Sequence, residues 1–473
     1  MQSLVKMVSR PRSRGVIQLA IAIWLLEVGT AAFWGSSLDN SWPHWRVGFV
    51  AVAVWPLSLI ILYYGVGPPF ALSRLPMLST VFGFISTVLG CTNYWATTHR
   101  FPEYRVYIER AALFVALCTL LSLVGCLVVQ RRPISPPRQP RTFVWNWARL
   151  RLVTYALAVV SVVGTYESVQ RIGYVPLLTG DPESMRLTFA ATAGVWLRLS
   201  TQGGILLALL AGAQICGRRG GWDVWLAGII GLLCASAYGN RFFAALPVGA
   251  TLLLWDRVRQ QVKLPLLGFG FLFGVPVLAL IGFWRYQDAP LDVLNPFMLV
   301  LWGTLMEFRD LAWAMDYYSG GHALLHGSTV GSLFMPILPG PVWSVMGIDK
   351  AAVYAQSNAV VLGQEMWQTT PQRIGIYGEF FINFWWVGAF IGAIVYGLLI
   401  GYVDRQILRL DKPGAVRAMI LAVVGVVLVY AQIGQWDMDV TAVTSTAYPI
   451  LLVALFAARR SLAGAPTANP IPS

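Results

Sequence analysis

The chain has 473 residues, 57% of them hydrophobic and only 12% charged. Soluble domains carry about a quarter charged residues, so this composition excludes a soluble globular protein and indicates a polytopic membrane protein. The net charge of +13 is not a nucleic-acid footprint, because most of the excess lies in loops that the positive-inside rule places in the cytoplasm.

In chain order, Lys6, Arg10, Arg12 and Arg14 precede a first apolar run. No small-x-small cleavage pattern follows it, so it is read as a retained span. A span needs roughly 20 apolar residues, and hydropathy predicts spans near 16–34, 47–65, 77–96, 111–129, 152–169, 197–216, 222–238, 241–255, 264–283, 380–402, 416–434 and 441–457. The expected fold is an all-α transmembrane bundle of about twelve spans, forming one polytopic domain over 1–473. Segments 222–238 and 241–255 are short, and are read either as two spans or as a re-entrant hairpin. Cys91, Cys118, Cys126, Cys216 and Cys234 all lie in apolar runs without metal or disulfide spacing, and read as small core hydrophobes.

Residues 130–151 are rich in Pro and Arg and read as a cytoplasmic linker that meets anionic lipid headgroups. Residues 463–473 read as a disordered Ala/Pro/Ser tail. With both termini inside, the inner segments hold 22 of the 34 Lys and Arg, while the outer segments hold 17 of the 21 acidic residues when Glu27 and Glu167 are counted there. That bias sets the orientation in a bacterial cytoplasmic membrane.

Residues 284–379 form a long extracytoplasmic loop with recurrent aromatics, among them Trp302, Trp313, Tyr317, Tyr318 and Trp343. Short amphipathic helices that lie on the surface or re-enter it are expected there. Pro336, Pro339, Gly340 and Pro341 are expected to form a rigid turn. Arg171, Arg186, Arg241, Arg285, Arg309 and Arg373 all fall on the outer side. Arginine's fixed cationic fork suits phosphate and is costly near lipid without a partner, so an anionic ligand is expected at the outer half of the membrane.

The segment Arg171-Ile172-Gly173-Tyr174-Val175-Pro176-Leu177-Leu178 with Glu183 and Arg186, then Gly239-Asn240-Arg241, the Pro336–Pro341 turn with Trp343 and Lys350, and the run TTPQRIGIYGEFFINF from Thr369 occur in that order. This ordered set, over roughly residues 165–400, resembles bacterial oligosaccharide repeat-unit polymerases of the O-antigen type. The turn departs from that pattern, with Ile337 where relatives often carry a basic residue after Pro, so no phosphate contact is assigned to it. The resemblance implies a fold similar to membrane glycosyltransferases of the C type. It also implies the joining of glycan repeat units carried on polyprenyl diphosphate, for surface polysaccharide such as O-antigen, capsule or exopolysaccharide. The implied partners are lipid-linked donor and acceptor, membrane lipids, a chain-length regulator and a flippase, with no nucleic acid and no cofactor.

Such a transfer needs cationic groups aimed at the departing diphosphate and a group that orients or deprotonates the acceptor hydroxyl. Arg171, Arg186, Arg241, Arg285 and Arg309 are the diphosphate-binding candidates, and Glu379, Glu365 and Arg373 the catalytic ones. Glu183, His322, His326 and Asn383 are further candidates, and Glu379 is favoured as base. The plainer reading of Glu379 is a carboxylate placed by a helix dipole. His322 and His326 stand one helical turn apart, but the run HALLH lacks the carboxylate of a zinc helix, so no metal is expected. A glycan ligase relying on an outer histidine and a lipid-linked oligosaccharide flippase or other transporter are the alternatives. Only Asp39-Asn40 beside His44 stands in the first outer loop, which disfavours a monosaccharide transferase with an acidic pair there.

Overall fold

The computed structural model describes residue 58 and residues 74–83, 105–130, 142–175, 192–237, 241–259, 308–321, 323–327, 329, 335, 337–338, 340–349, 374–409, 416–432 and 436–461, with backbone alone at some element ends. The expected spans 16–34 and 264–283, nearly all of 47–65 and the second half of 77–96 lie outside these residues, as does the tail 463–473.

The described chain is mostly helical. Its elements are α1 (Arg105–Gln130), β1 (Thr142–Trp145), α2 (Trp147–Ile172), α3 (Val195–Cys216), α4 (Trp222–Ser236), α5 (Arg241–Arg259), α6 (Phe308–Ser319), α7 (Gly340–Val345), α8 (Gly375–Leu408), α9 (Val416–Tyr430), α10 (Trp436–Ala457) and β2 (Ala458–Ser461). Four helices are long and apolar enough to cross a membrane: α1 from Arg110, α2, α3 and α8. The shorter α4, α5, α9 and α10 contain apolar helices as well. Large apolar side chains stay exposed along α2, α4, α8 and α10, for example Val159, Leu233, Val387 and Leu452, as expected of faces solvated by lipid.

Close packing relies on small residues, which let helix backbones approach where lipid supplies no hydrophobic drive. A Cβ on Gly397 of α8 would collide with the Ser122 carbonyl of α1, and one on Gly231 of α4 would lie 2.7 Å from the Gly204 carbonyl of α3. The pair α4 and α5 follows α3 closely. Ser200 Oγ of α3 donates to the Cys234 carbonyl near the end of α4, and Thr251 of α5 meets Gly212 and Cys216 near the end of α3. α4 therefore runs antiparallel along α3, while Thr251 places the second half of α5 beside the end of α3. Cys118, Cys126, Cys216 and Cys234 are buried and form no disulfide.

One end of the bundle is tied by polar contacts. Arg74 pairs with Asp404 at 2.6 Å with both side chains buried, and Gln130 Nε2 donates to the same carboxylate at 2.8 Å. Arg417 donates to Gln406 at 2.6 Å and Arg151 pairs with Asp223 at 2.5 Å. β1 and β2 form an antiparallel ribbon pairing Phe143 with Arg460. This ribbon adds a small β element to a fold expected to be all-α, and the run Thr-Phe-Val-Trp has the β-branched and aromatic composition that favours it. Arg74, Asp404, Gln130, Arg151 and Arg417 thus gather segments that the charge bias groups on one face.

The expected continuous span 380–402 is not one rod. Trp385 breaks α8 with φ 63 and ψ −166, and the chain reverses there. Tyr377 meets Tyr396 with ring centroids 5.8 Å apart, and a Cβ at Gly392 would strike the Phe380 ring. Residues 375–384 therefore form a short arm folded against the long arm 386–408. The long arm alone rises roughly 34 Å, enough to span.

Candidate functional site

The short arm begins beside the end of α9, where Ile376 N donates to the Ala431 carbonyl at 2.9 Å. Its final turn has lost the amides that would have continued the helix, so its orphan acceptors need other donors. The loop 323–327 supplies one: Leu325 N donates to the Ile382 carbonyl at 3.1 Å. Two residues on, Gly327 N donates to Asn383 Oδ1 at 3.0 Å.

These contacts set up a directed chain of hydrogen bonds. Asn383 Nδ2 donates to the Glu379 carbonyl at 2.8 Å and to Thr329 Oγ1 at 2.6 Å. An amide nitrogen only donates, so the Thr329 hydroxyl turns its proton to Glu379 Oε2, 3.2 Å away. Glu379, Asn383 and Thr329 are all buried. Thr329 thus donates to the carboxylate itself, while Asn383 braces Thr329 and the backbone of the Glu379 turn. Glu379 lies beyond the first turn, since no acidic residue occupies that turn of α8. The helix-dipole reading therefore does not account for it.

α6 closes another side. It packs against α1 and α8, and Leu311 reaches the short arm beside Gly378. Tyr318 is buried on this helix, and burial pushes its phenol up, with Tyr317 and then Glu379 adding to the shift. A helix expected to lie on or re-enter the outer surface is thus part of the packed bundle. α7 begins at Gly340 with Pro341 in its first turn, so these two members of the expected rigid turn open a short helix, while Pro336 and Pro339 lie outside the described residues. Trp343 Nε1 donates to the Met335 carbonyl at 3.0 Å and fixes that corner.

The nominated residues divide as follows. Glu379 and Asn383 are brought together, one helical turn apart and bridged by Thr329. Arg309 opens α6, the helix that carries Tyr318, and Arg241 opens α5. Next to Arg241, Phe242 stacks on Tyr430 at 4.1 Å, one residue before the carbonyl that anchors the short arm. Arg309 therefore stands on a helix packed against α8, and Arg241 on a helix packed against α9, whose end meets the Glu379 arm. Arg171 stands apart: it is exposed in the last turn of α2, 5.6 Å over the Trp196 ring, and α2 packs on α3, α4 and α10.

His326 is exposed at φ 47 in the non-helical loop 323–327. The helical-turn spacing assumed for His322 and His326 therefore does not apply, because positive φ at Gly321, His326 and Gly327 breaks the helix. No cluster of three His, Cys, Asp or Glu exists among the described residues. Glu183, Arg186, Arg285, His322, Glu365 and Arg373 lie outside them. Thr329 and Tyr318 were not singled out as site residues by the sequence. Only the four-residue spacing of Glu379 and Asn383 carried a signal, placing both on one helix face. No family model, curated protein or solved structure matches the chain.

Proposed function

We propose that the chain is a glycosyltransferase that joins oligosaccharide repeat units carried on polyprenyl diphosphate. It works at the outer face of a bacterial cytoplasmic membrane, with about twelve spans and both termini inside. The observation that carries this reading is the buried Glu379 carboxylate, held through Oε2 by Thr329, which Asn383 braces in turn, on a short arm at a helix break. Buried carboxylates are costly in a membrane protein and mark functional sites.

In this reading Oε1 of Glu379 accepts the proton of an acceptor sugar hydroxyl. The hydroxyl oxygen forms the new bond to the donor's anomeric carbon, and the bond from that carbon to the diphosphate oxygen breaks. The lipid diphosphate leaves with the bonding pair. Arg241 and Arg309 are the preferred cations for its charge because Arg309 lies on a helix packed against α8 and Arg241 on one packed against α9, whose end meets the Glu379 arm, with Arg186, Arg285 and Arg373 as further candidates. Arg171 is assigned to anchoring the α2 end through Trp196.

A glycan ligase is the second reading, favoured by the exposed His326 beside the Asn383 contact. Glycan profiling of a deletion strain separates the readings. Polymerase loss leaves single repeat units in place of a ladder, whereas ligase loss leaves long lipid-linked polymer that never reaches its final acceptor. Repeat units accumulating on the cytoplasmic face would instead identify a flippase and overturn both.

A further inference from the structure

α6 packs with one face and leaves the other partly open. Leu311, Ala312, Ala314, Met315 and Tyr318 are buried, whereas Trp313, Asp316 and Tyr317 are only half-buried. Those three stand at i, i+3 and i+4, so they share one side of the helix. The Trp313 and Tyr317 rings lie nearly parallel, with centroids 5.0 Å apart and planes 13° from parallel. Behind them, Tyr318 meets Tyr317 edge-on at 5.2 Å and 86°. The stack is therefore held from the buried side by the same tyrosine whose phenol responds to Glu379. No hydrogen bond or ion pair engages the Asp316 carboxylate among the described residues, although its carbonyl accepts from Gly320 N at 2.9 Å.

We propose that Trp313, Tyr317 and Asp316 form a binding platform for one uncharged pyranose ring of a glycan chain. The choice of a glycan as ligand rests on the proposed function. The C–H face of a pyranose stacks on an aromatic face, whose negative quadrupole attracts its weakly positive hydrogens. A carboxylate beside the stack accepts hydrogen bonds from two sugar hydroxyls. Asp316 also repels anions, so the platform takes a sugar ring and leaves the diphosphate to the arginines. Because the rings are already fixed, binding loses little side-chain entropy. α6 also packs against α8, the helix that carries Glu379.

The test uses full-length protein in nanodiscs and oligosaccharides of several repeat units, released by mild acid from the source cell's surface polysaccharide and free of lipid and phosphate. Saturation-transfer NMR should show binding by wild type. Trp313→Ala and Tyr317→Ala should each weaken it roughly tenfold or more, the loss of one aromatic contact. Trp313→Phe should retain most of the affinity. Asp316→Asn should weaken binding less than either alanine variant. Absence of binding by wild type, or equal binding by Trp313→Ala at matched thermal stability, overturns the platform. A normal polymer ladder in the deletion strain would defeat the proposed function instead, and the two failures are read by different experiments.

Discussion

At the level of single residues, Thr329 donates to Glu379 Oε2 at 3.2 Å, and that bond orients the carboxylate. Thr329→Val should therefore slow the transfer while the protein stays folded, because the buried carboxylate loses that donor. Thr329→Ser should restore most of the rate. An undiminished rate from Thr329→Val would show that Thr329 only supports packing. Part of this site was legible in the sequence, since Glu379 and Asn383 occupy one helix face four residues apart. Thr329 was not, because it arrives from 50 residues upstream, just after a loop that is tied to the short arm by Leu325 N donating to the Ile382 carbonyl.

At the scale of elements, hydropathy predicted most helices within a few residues, because apolar runs and polar loops alternate cleanly. It missed the reversal at Trp385, where Asn383-Phe384-Trp385-Trp386 contains neither Gly nor Pro. The backbone there occupies a region that is essentially reserved for glycine and costs about 1–3 kcal/mol for other residues. Stacking of Trp385 on Phe381, 5.0 Å away, offsets part of that cost. Trp385→Gly loses the ring but relieves the strain, whereas Trp385→Ala loses the ring and keeps it. Thermal unfolding should rank the glycine variant above the alanine variant by roughly 1 kcal/mol or more. The reverse order would mean that the reversal is unstrained. The close approach of α1 and α8 makes a second prediction: Gly397→Val should prevent stable assembly, read as loss of folded protein in detergent.

For the whole molecule, the buried Arg74–Asp404–Gln130 cluster joins the N-terminal part of the chain to α1 and α8. Removing one partner leaves an uncompensated buried charge, at a cost of about 3–5 kcal/mol. Asp404→Ala should therefore destabilise the protein strongly, while an apolar replacement of both Arg74 and Asp404 recovers much of the loss in a denaturation series. Charge bias in the sequence anticipated that these residues share one face, because loop arginines follow the membrane side. It did not reveal the pairing itself, which links positions 330 residues apart.

The most direct measurement of the central claim supplies purified protein with a lipid-diphosphate-linked repeat unit and resolves the products by gel. Wild type should build a ladder and release polyprenyl diphosphate, and Glu379→Gln should form neither while remaining folded and bound to the glycan. A ladder of undiminished yield from Glu379→Gln, or no ladder from wild type, would contradict the account.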